Sequence, residues 1–198
     1  MITLPFLILF PAAIAAILLL VPGDTWRRLI VQAGALIIGI ASLYLLFITP
    51  GAGQAFFPVT GGWITTLMFI AEMIIAVFLI YLGIKHKKYL ALFLVVAQAA
   101  LLIFYETSAA HGAHIVPDLF IDQLSLIMAL IIGIIGSLIC VYALGYMATY
   151  HELHPDVKDR RRSFFFLVFL FIASMFGLVF SNYLPWVFFF WELTTLCS

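Results

Sequence analysis

Seven continuous apolar runs set the terms for this chain: Ile2–Val21, Leu29–Ile48, Trp63–Leu82, Tyr89–Tyr105, Leu124–Met147, Phe164–Phe180 and Tyr183–Ser198. A helix needs about 20 residues to cross the hydrocarbon of a bilayer, so each run is a candidate span. The runs are apolar throughout rather than at alternate positions, and a strand of a membrane barrel would be about half as long. Helices are therefore expected as the spanning elements. Composition points the same way. Of the 198 residues 66% are hydrophobic and 9% charged, where a soluble domain has about half and about a quarter. So much apolar surface cannot be hidden inside one water-soluble domain of this length. A soluble enzyme and a disordered chain are excluded. A nucleic-acid binder is excluded too, because the net charge is zero and no basic excess exists to hold phosphates. The expected architecture is all-α: a polytopic transmembrane bundle of about seven spans, one membrane domain over residues 1–198, in contact with the lipid bilayer. The first run lacks a basic leader and contains Pro5 and Pro11, so it reads as a span of the bundle rather than a cleaved signal peptide.

The charged residues give an orientation. Arg27 and Arg28 lie between runs one and two, Lys85, Lys87 and Lys88 between three and four, and Lys158, Arg160, Arg161 and Arg162 between five and six. These are all nine basic residues, and every one falls in an odd-numbered connection. The even connections, Thr49–Gly62, Glu106–Gln123 and Ser181–Asn182, carry none; the second holds Glu106, Asp118 and Asp122. Basic residues near span ends stay on the cytoplasmic side. The N-terminus is therefore expected outside, with the basic connections cytoplasmic. A missed or invented span would scramble this alternation, so it also supports the count of seven.

Two carboxylates break the rule that charge avoids the spans. Glu72 sits mid-way along the third run and Glu192 follows Trp191 in the seventh. A charge at the bilayer centre costs at least about 2.5–3.5 kcal/mol on insertion scales, so such groups face a bundle interior or water and usually have a task. A carboxyl that can be protonated or ionised at working pH can relay protons. Glu72 has only Ile70, Ala71, Met73 and Ile74 around it and no polar residue three or four positions away. It reads first as a neutral acid bonded to a neighbouring helix, with a transport role as the alternative. Glu192 has Thr195 at i+3, with Thr194, Cys197 and Ser198 close behind. That polar stripe favours proton handling, with Thr195 holding water beside the carboxyl; a structural hydrogen bond is the alternative. Gly133, Gly136, Ser137 and Cys140 make one small face on run five, and Ser174, Gly177 and Ser181 another on run six, where helices can approach closely. Gln98 is a candidate for a bond between helices. Cys140 and Cys197 read as small apolar fillers, and the phenylalanines of runs six and seven as packing or lipid surface. The pairs His111/His114 and His151/His154 have the wrong spacing for the H-E-x-x-H zinc motif, and loop polarity is the plainer reading. No metal or other cofactor is expected.

From run five onward the sequence becomes distinctive. It contains Phe120-Ile121-Asp122-Gln123-Leu124-Ser125-Leu126-Ile127-Met128 and Tyr142-Ala143-Leu144-Gly145-Tyr146-Met147. Arg162-Ser163-Phe164-Phe165-Phe166 follows, then Ala173-Ser174-Met175-Phe176-Gly177-Leu178-Val179 and Ser181-Asn182-Tyr183-Leu184. The last segment is Phe190-Trp191-Glu192-Leu193-Thr194-Thr195-Leu196-Cys197-Ser198. In this order and spacing the segments resemble the antiporter-like subunits of the complex I superfamily. Those include subunit L of NADH-quinone oxidoreductase, its relatives in membrane-bound nickel–iron hydrogenases, and Mrp-type cation/proton antiporters. The resemblance covers about Phe120–Ser198, so residues 118–198 read as antiporter-like spans and residues 1–106 as divergent ones.

The resemblance implies a function. The glutamate of the family's Trp-Glu motif belongs to a proton channel and pairs with a lysine on a later helix; Glu192 occupies that position. The family's N-terminus lies outside, as the charge pattern gives independently. It implies a proton- or sodium-translocating subunit in a prokaryotic inner membrane, with other membrane subunits of a redox-driven complex as partners and no redox chemistry of its own. The alternatives are a stand-alone cation/proton antiporter component and a purely structural membrane subunit. Subunit L has about two spans before its Asp-x-Leu-Ser helix, whereas this chain has four. The difference keeps the orientation and favours a divergent, hydrogenase-type branch. The family's later lysines and histidines are absent, so the sequence is expected to be the N-terminal portion of such a subunit: a fragment, a truncated gene product or the first piece of a split subunit.

Overall fold

The structure is a computed structural model and describes residues 3–49, 55–57, 62–109, 118–154, 156 and 159–198. His111, His114, Lys158 and the Glu106 side chain lie outside the described residues. The described chain forms seven helices and two short strands: α1 (Thr3–Leu20), α2 (Asp24–Ile48), β1 (Ala55–Phe57), α3 (Gly62–Lys85), α4 (Tyr89–Ala109), β2 (Leu119–Ile121), α5 (Gln123–Leu153), α6 (Arg161–Phe180) and α7 (Leu184–Cys197). Helices α1, α2, α3, α5 and α6 are long and apolar enough to cross a membrane; α4 and α7 have shorter apolar stretches, Leu92–Tyr105 and Leu184–Cys197. The chain is an all-α membrane bundle.

The helices overrun the apolar runs. α2 begins at Asp24 and carries Arg27 and Arg28 in its first two turns, Lys85 ends α3, and Arg161 and Arg162 start α6. These residues sit on helix ends rather than in loops. α5 has 31 residues, about 46 Å of helix against a hydrocarbon core of about 30 Å. An α-helix satisfies its own backbone whether lipid or headgroups surround it, so the hydrocarbon edge does not end it.

α6 lies at the centre. It packs against α1, α5 and α7, while α2 packs against α1 and α5. Phe165, Phe169, Phe176 and Phe180 are fully buried along it, which settles the phenylalanine-rich flank as packing surface there. The small faces do what their size allows. A Cβ added at Gly133 would fall inside the Ser42 side chain of α2, and one at Gly177 inside the Phe190 ring of α7. Cys140 is buried and fills space on the same α5 face. Outward positions such as Leu36, Phe47, Leu90 and Tyr142 are exposed, as expected of a surface solvated by lipid.

The connections sort into two ends. At one end β1 and β2 pair antiparallel, Ala55 opposite Ile121 and Phe57 opposite Leu119. Leu119 also bridges to Ser181, and the Asn182 N–H donates to the Asp118 carbonyl at 2.8 Å. All three even connections meet there. The ladder was not expected, because Thr49–Gly62 read as loop; three-residue strands are too short to leave a periodic signature. At the other end an ion-pair chain joins the first and fifth connections. Arg27 pairs with Asp24, Asp24 with Arg161 at 3.0 Å, Arg161 with Asp159 at 2.8 Å, and His151 Nε2 lies 3.6 Å from Asp159. The Arg161 guanidinium beside Asp159 holds that carboxyl well below the usual carboxylate range. The Arg162 side chain also donates to the Pro22 carbonyl at 3.1 Å.

α3 and α4 form an excursion from this bundle. They pack on each other, and α3 also rests on α7. The turn between them closes through the Lys88 N–H to the Gly83 carbonyl at 2.9 Å, with Lys87 at φ 54°. The chain leaves α2 and re-enters α5 through the two paired strands, so the excursion is tied off at its base.

Candidate functional site

α7 carries the site. It starts at the ladder end, where Tyr183 is its N-cap and Pro185 stands in the first turn, the position where a missing N–H costs nothing. Phe190 then locks it against Gly177 of α6. The α3–α4 hairpin also meets α7. Polar bonds join the hairpin to α7. The Trp186 indole N–H donates to Thr65 Oγ1 of α3 at 3.3 Å, and the Gln98 amide of α4 donates to Glu192 Oε1 at 3.0 Å.

Glu192 lines a groove of about 470 Å³ together with Ile75, Leu79, Gln98, Phe188, Trp191, Thr195 and Leu196. The lining is apolar except for Gln98, Thr195 and Glu192 itself. Glu192 Oε2 is buried and has no hydrogen-bond partner among the described residues. One carboxyl oxygen is thus held by an amide, and the other is left for a proton, a water or a cation. Thr195 lines the same groove, but its hydroxyl donates to the Trp191 carbonyl at 3.1 Å, as does that of Thr194 at 2.7 Å. Intrahelical bonds of this kind are the usual resting state of hydroxyls in apolar helices.

Glu72 is 4% exposed. Its level can be read from the Thr65–Trp186 contact, because α3 and α7 both start at the ladder end and run the same way. Glu72 is seven residues beyond Thr65 and Glu192 six beyond Trp186, about 10 Å and about 9 Å of rise. The two carboxyl-bearing backbones therefore lie at nearly the same depth. Sequence reasoning joined Thr195 to Glu192 and marked Glu72 and Gln98 apart from them, and the fold brings Glu192, Thr195 and Gln98 to one groove. What it missed was that Gln98 is the partner of Glu192. The two are 94 positions apart, and only the return of the hairpin onto α7 joins them. His151 stays remote from this groove, at the ion-paired end.

Part of the chain resembles known proteins. Residues 109–166 match the family described as NADH-ubiquinone oxidoreductase (complex I), chain 5 N-terminus. The matched stretch contains β2 and α5 and ends within α6, before Glu192. A Na(+)/H(+) antiporter subunit A1 from Staphylococcus haemolyticus is 36% identical over 81 residues, 41% of this chain and 9% of the relative. The subunit A1 of Staphylococcus aureus strain JH9 is 35% identical over the same extent. The match thus spans less than a tenth of these relatives' length. Over residues 109–166 the chain is similar to the antiporter-like membrane subunits of the complex I and Na(+)/H(+) antiporter group.

Proposed function

We propose that the chain is part of a cation/proton-translocating subunit in which Glu192 is the proton-carrying carboxyl. The observation that carries this reading is the state of Glu192. It sits in an apolar groove, with one oxygen held by Gln98 and the other buried without a partner. A carboxylate left in that condition is costly, and a proton or a basic group supplied from outside the groove relieves the cost. Thr195, which lines the groove, supplies a hydroxyl oxygen for a water or proton passing along it. Glu72 is read as a structural acid at the same depth. The antiporter relatives weigh toward exchange of H+ and Na+. The four spans before the Asp-x-Leu-Ser helix weigh toward a redox-driven, hydrogenase-type complex, in which electrons run in partner subunits and this chain moves ions. Copurification with iron–sulfur or hydrogenase subunits, or their absence, decides between the two. Orientation in a prokaryotic inner membrane, with the ion-paired end cytoplasmic, is part of the same proposal.

The test is Glu192→Gln, which keeps shape and hydrogen bonding but cannot release a proton. In membrane vesicles containing the assembled complex, proton translocation should fall by at least about tenfold. Glu192→Asp should retain part of it. Glu72→Gln should keep assembly and most transport, because an amide replaces many hydrogen bonds of a neutral acid. Wild-type pumping by Glu192→Gln, with the complex intact, would hand the site to the structural alternative.

A further inference from the structure

Gln98 is out of character with its helix. Between Tyr89 and Tyr105 every other residue is apolar or a terminal tyrosine. An amide in such a setting is expensive unless it is bonded, and its bond is to Glu192 Oε1 at 3.0 Å. We propose that Gln98 is a positioning residue for Glu192: its amide, delivered by the α3–α4 hairpin, holds the carboxyl in place in both protonation states. The proposal rests on the reading of Glu192 as the proton carrier.

The chemistry of the side chain suits that task. A carboxamide carries an N–H₂ donor and a carbonyl acceptor, and half a turn about its last bond exchanges them. Ionised Glu192 takes the N–H. Neutral Glu192 gives its O–H to the amide oxygen. A lysine at this position would favour the ionised form alone, and an aliphatic residue would hold neither. Gln98 therefore fixes where the carboxyl sits while leaving its charge free to change, and no proton is stored on the partner. The Trp186–Thr65 bond pins the hairpin to α7 at a second point, so α4 stays in place when the amide turns. Few charges compete. On α3 the titratable group at this depth is Glu72. On α6, which packs the other side of α7, residues 164–180 hold no charged side chain. The rest of the groove is apolar apart from Thr195, whose hydroxyl hydrogen is committed to Trp191.

The experiment is an infrared pH titration of the purified complex, with the Glu192 carboxyl band assigned by its loss in Glu192→Gln. Gln98→Met keeps length and apolar packing but removes donor and acceptor together. Both forms lose a hydrogen bond, but the charge-assisted bond to the ionised form is the stronger, so the midpoint of the Glu192 band should move to higher pH by about one unit. The neutral carboxyl should also absorb at higher frequency, because its O–H has lost an acceptor. If Gln98→Met does not assemble, Gln98→Glu reads the same contact, and the pair should then titrate in two separated steps. An unchanged midpoint and frequency in Gln98→Met, or a single unshifted step in Gln98→Glu, overturns the role of Gln98. Neither result touches the Glu192 reading, which stands or falls on translocation by Glu192→Gln alone.

Discussion

Asp122 shows how one side chain sets the start of a span. It is the N-cap of α5: its carboxylate accepts from the Ser125 N–H at 2.7 Å, and its own N–H donates to Ser125 Oγ at 2.7 Å. Both bonds satisfy backbone donors that a helix start otherwise leaves open. The Ser125 N–H, with the Ser125 hydroxyl second, holds the Asp122 carboxyl below its ordinary value. The sign of the pH effect follows. A carboxyl whose value is lowered by folding adds stability above its unfolded value, and that stability is lost as pH falls through the folded one. Asp122→Ala should cost about 1 kcal/mol near neutral pH. The gap between variant and wild type should narrow below about pH 4, as thermal unfolding of the detergent-solubilised protein at several pH values would show. A gap that widens on acidification would refute the cap. The Asp-x-Leu-Ser signature was legible as a motif, and the structure gives its physical reason, a reciprocal cap at the membrane edge.

At the scale of elements the sharpest feature is the approach of α2 to α5. Gly133 has no room for a Cβ because the Ser42 Oγ and Cβ occupy that space, and Ser42 is itself buried with its hydroxyl bonded to the Ile38 carbonyl at 2.9 Å. In lipid, helices associate through close packing rather than through expulsion of water. Gly133→Ala should therefore push the pair apart and lower stability by about 1–3 kcal/mol. Adding Ser42→Gly should recover most of the loss, since it removes both clashing atoms. Absence of rescue in the double variant, by thermal stability in detergent, would show that the two residues do not meet. The small face on α5 was legible from spacing, because period 3.6 is local. Which helix it meets was not. α2 and α5 are separated by the whole α3–α4 excursion, and no periodicity specifies a partner.

The whole molecule has a basic, ion-paired end and an opposite end where β1, β2 and the α6–α7 turn meet. With Cys140 and Cys197 replaced by alanine, a cysteine at Phe56 in β1 should react with an impermeant thiol reagent added outside intact cells. One at Asp156, near the ion-paired end, should not. Labelling at Asp156 would reverse the orientation given by the basic residues. The sequence alone determined the solvent, the helical type and number of the apolar elements, and the sorting of connections into two classes. Each is written in local runs or in charge counts that need no partner: Phe164–Phe180 is apolar wherever it packs, and Arg160 to Arg162 are basic whatever they meet. It also marked Glu192 as unusual, because an ionisable group inside an apolar run stands out by position. Tertiary structure decided what those groups face. Glu192 meets Gln98, and Asp24 meets Arg161, because distant segments return to one another. A hydrogen bond across 94 residues depends on how the hairpin docks on α7, and docking is a property of surfaces that exist only once the helices have packed.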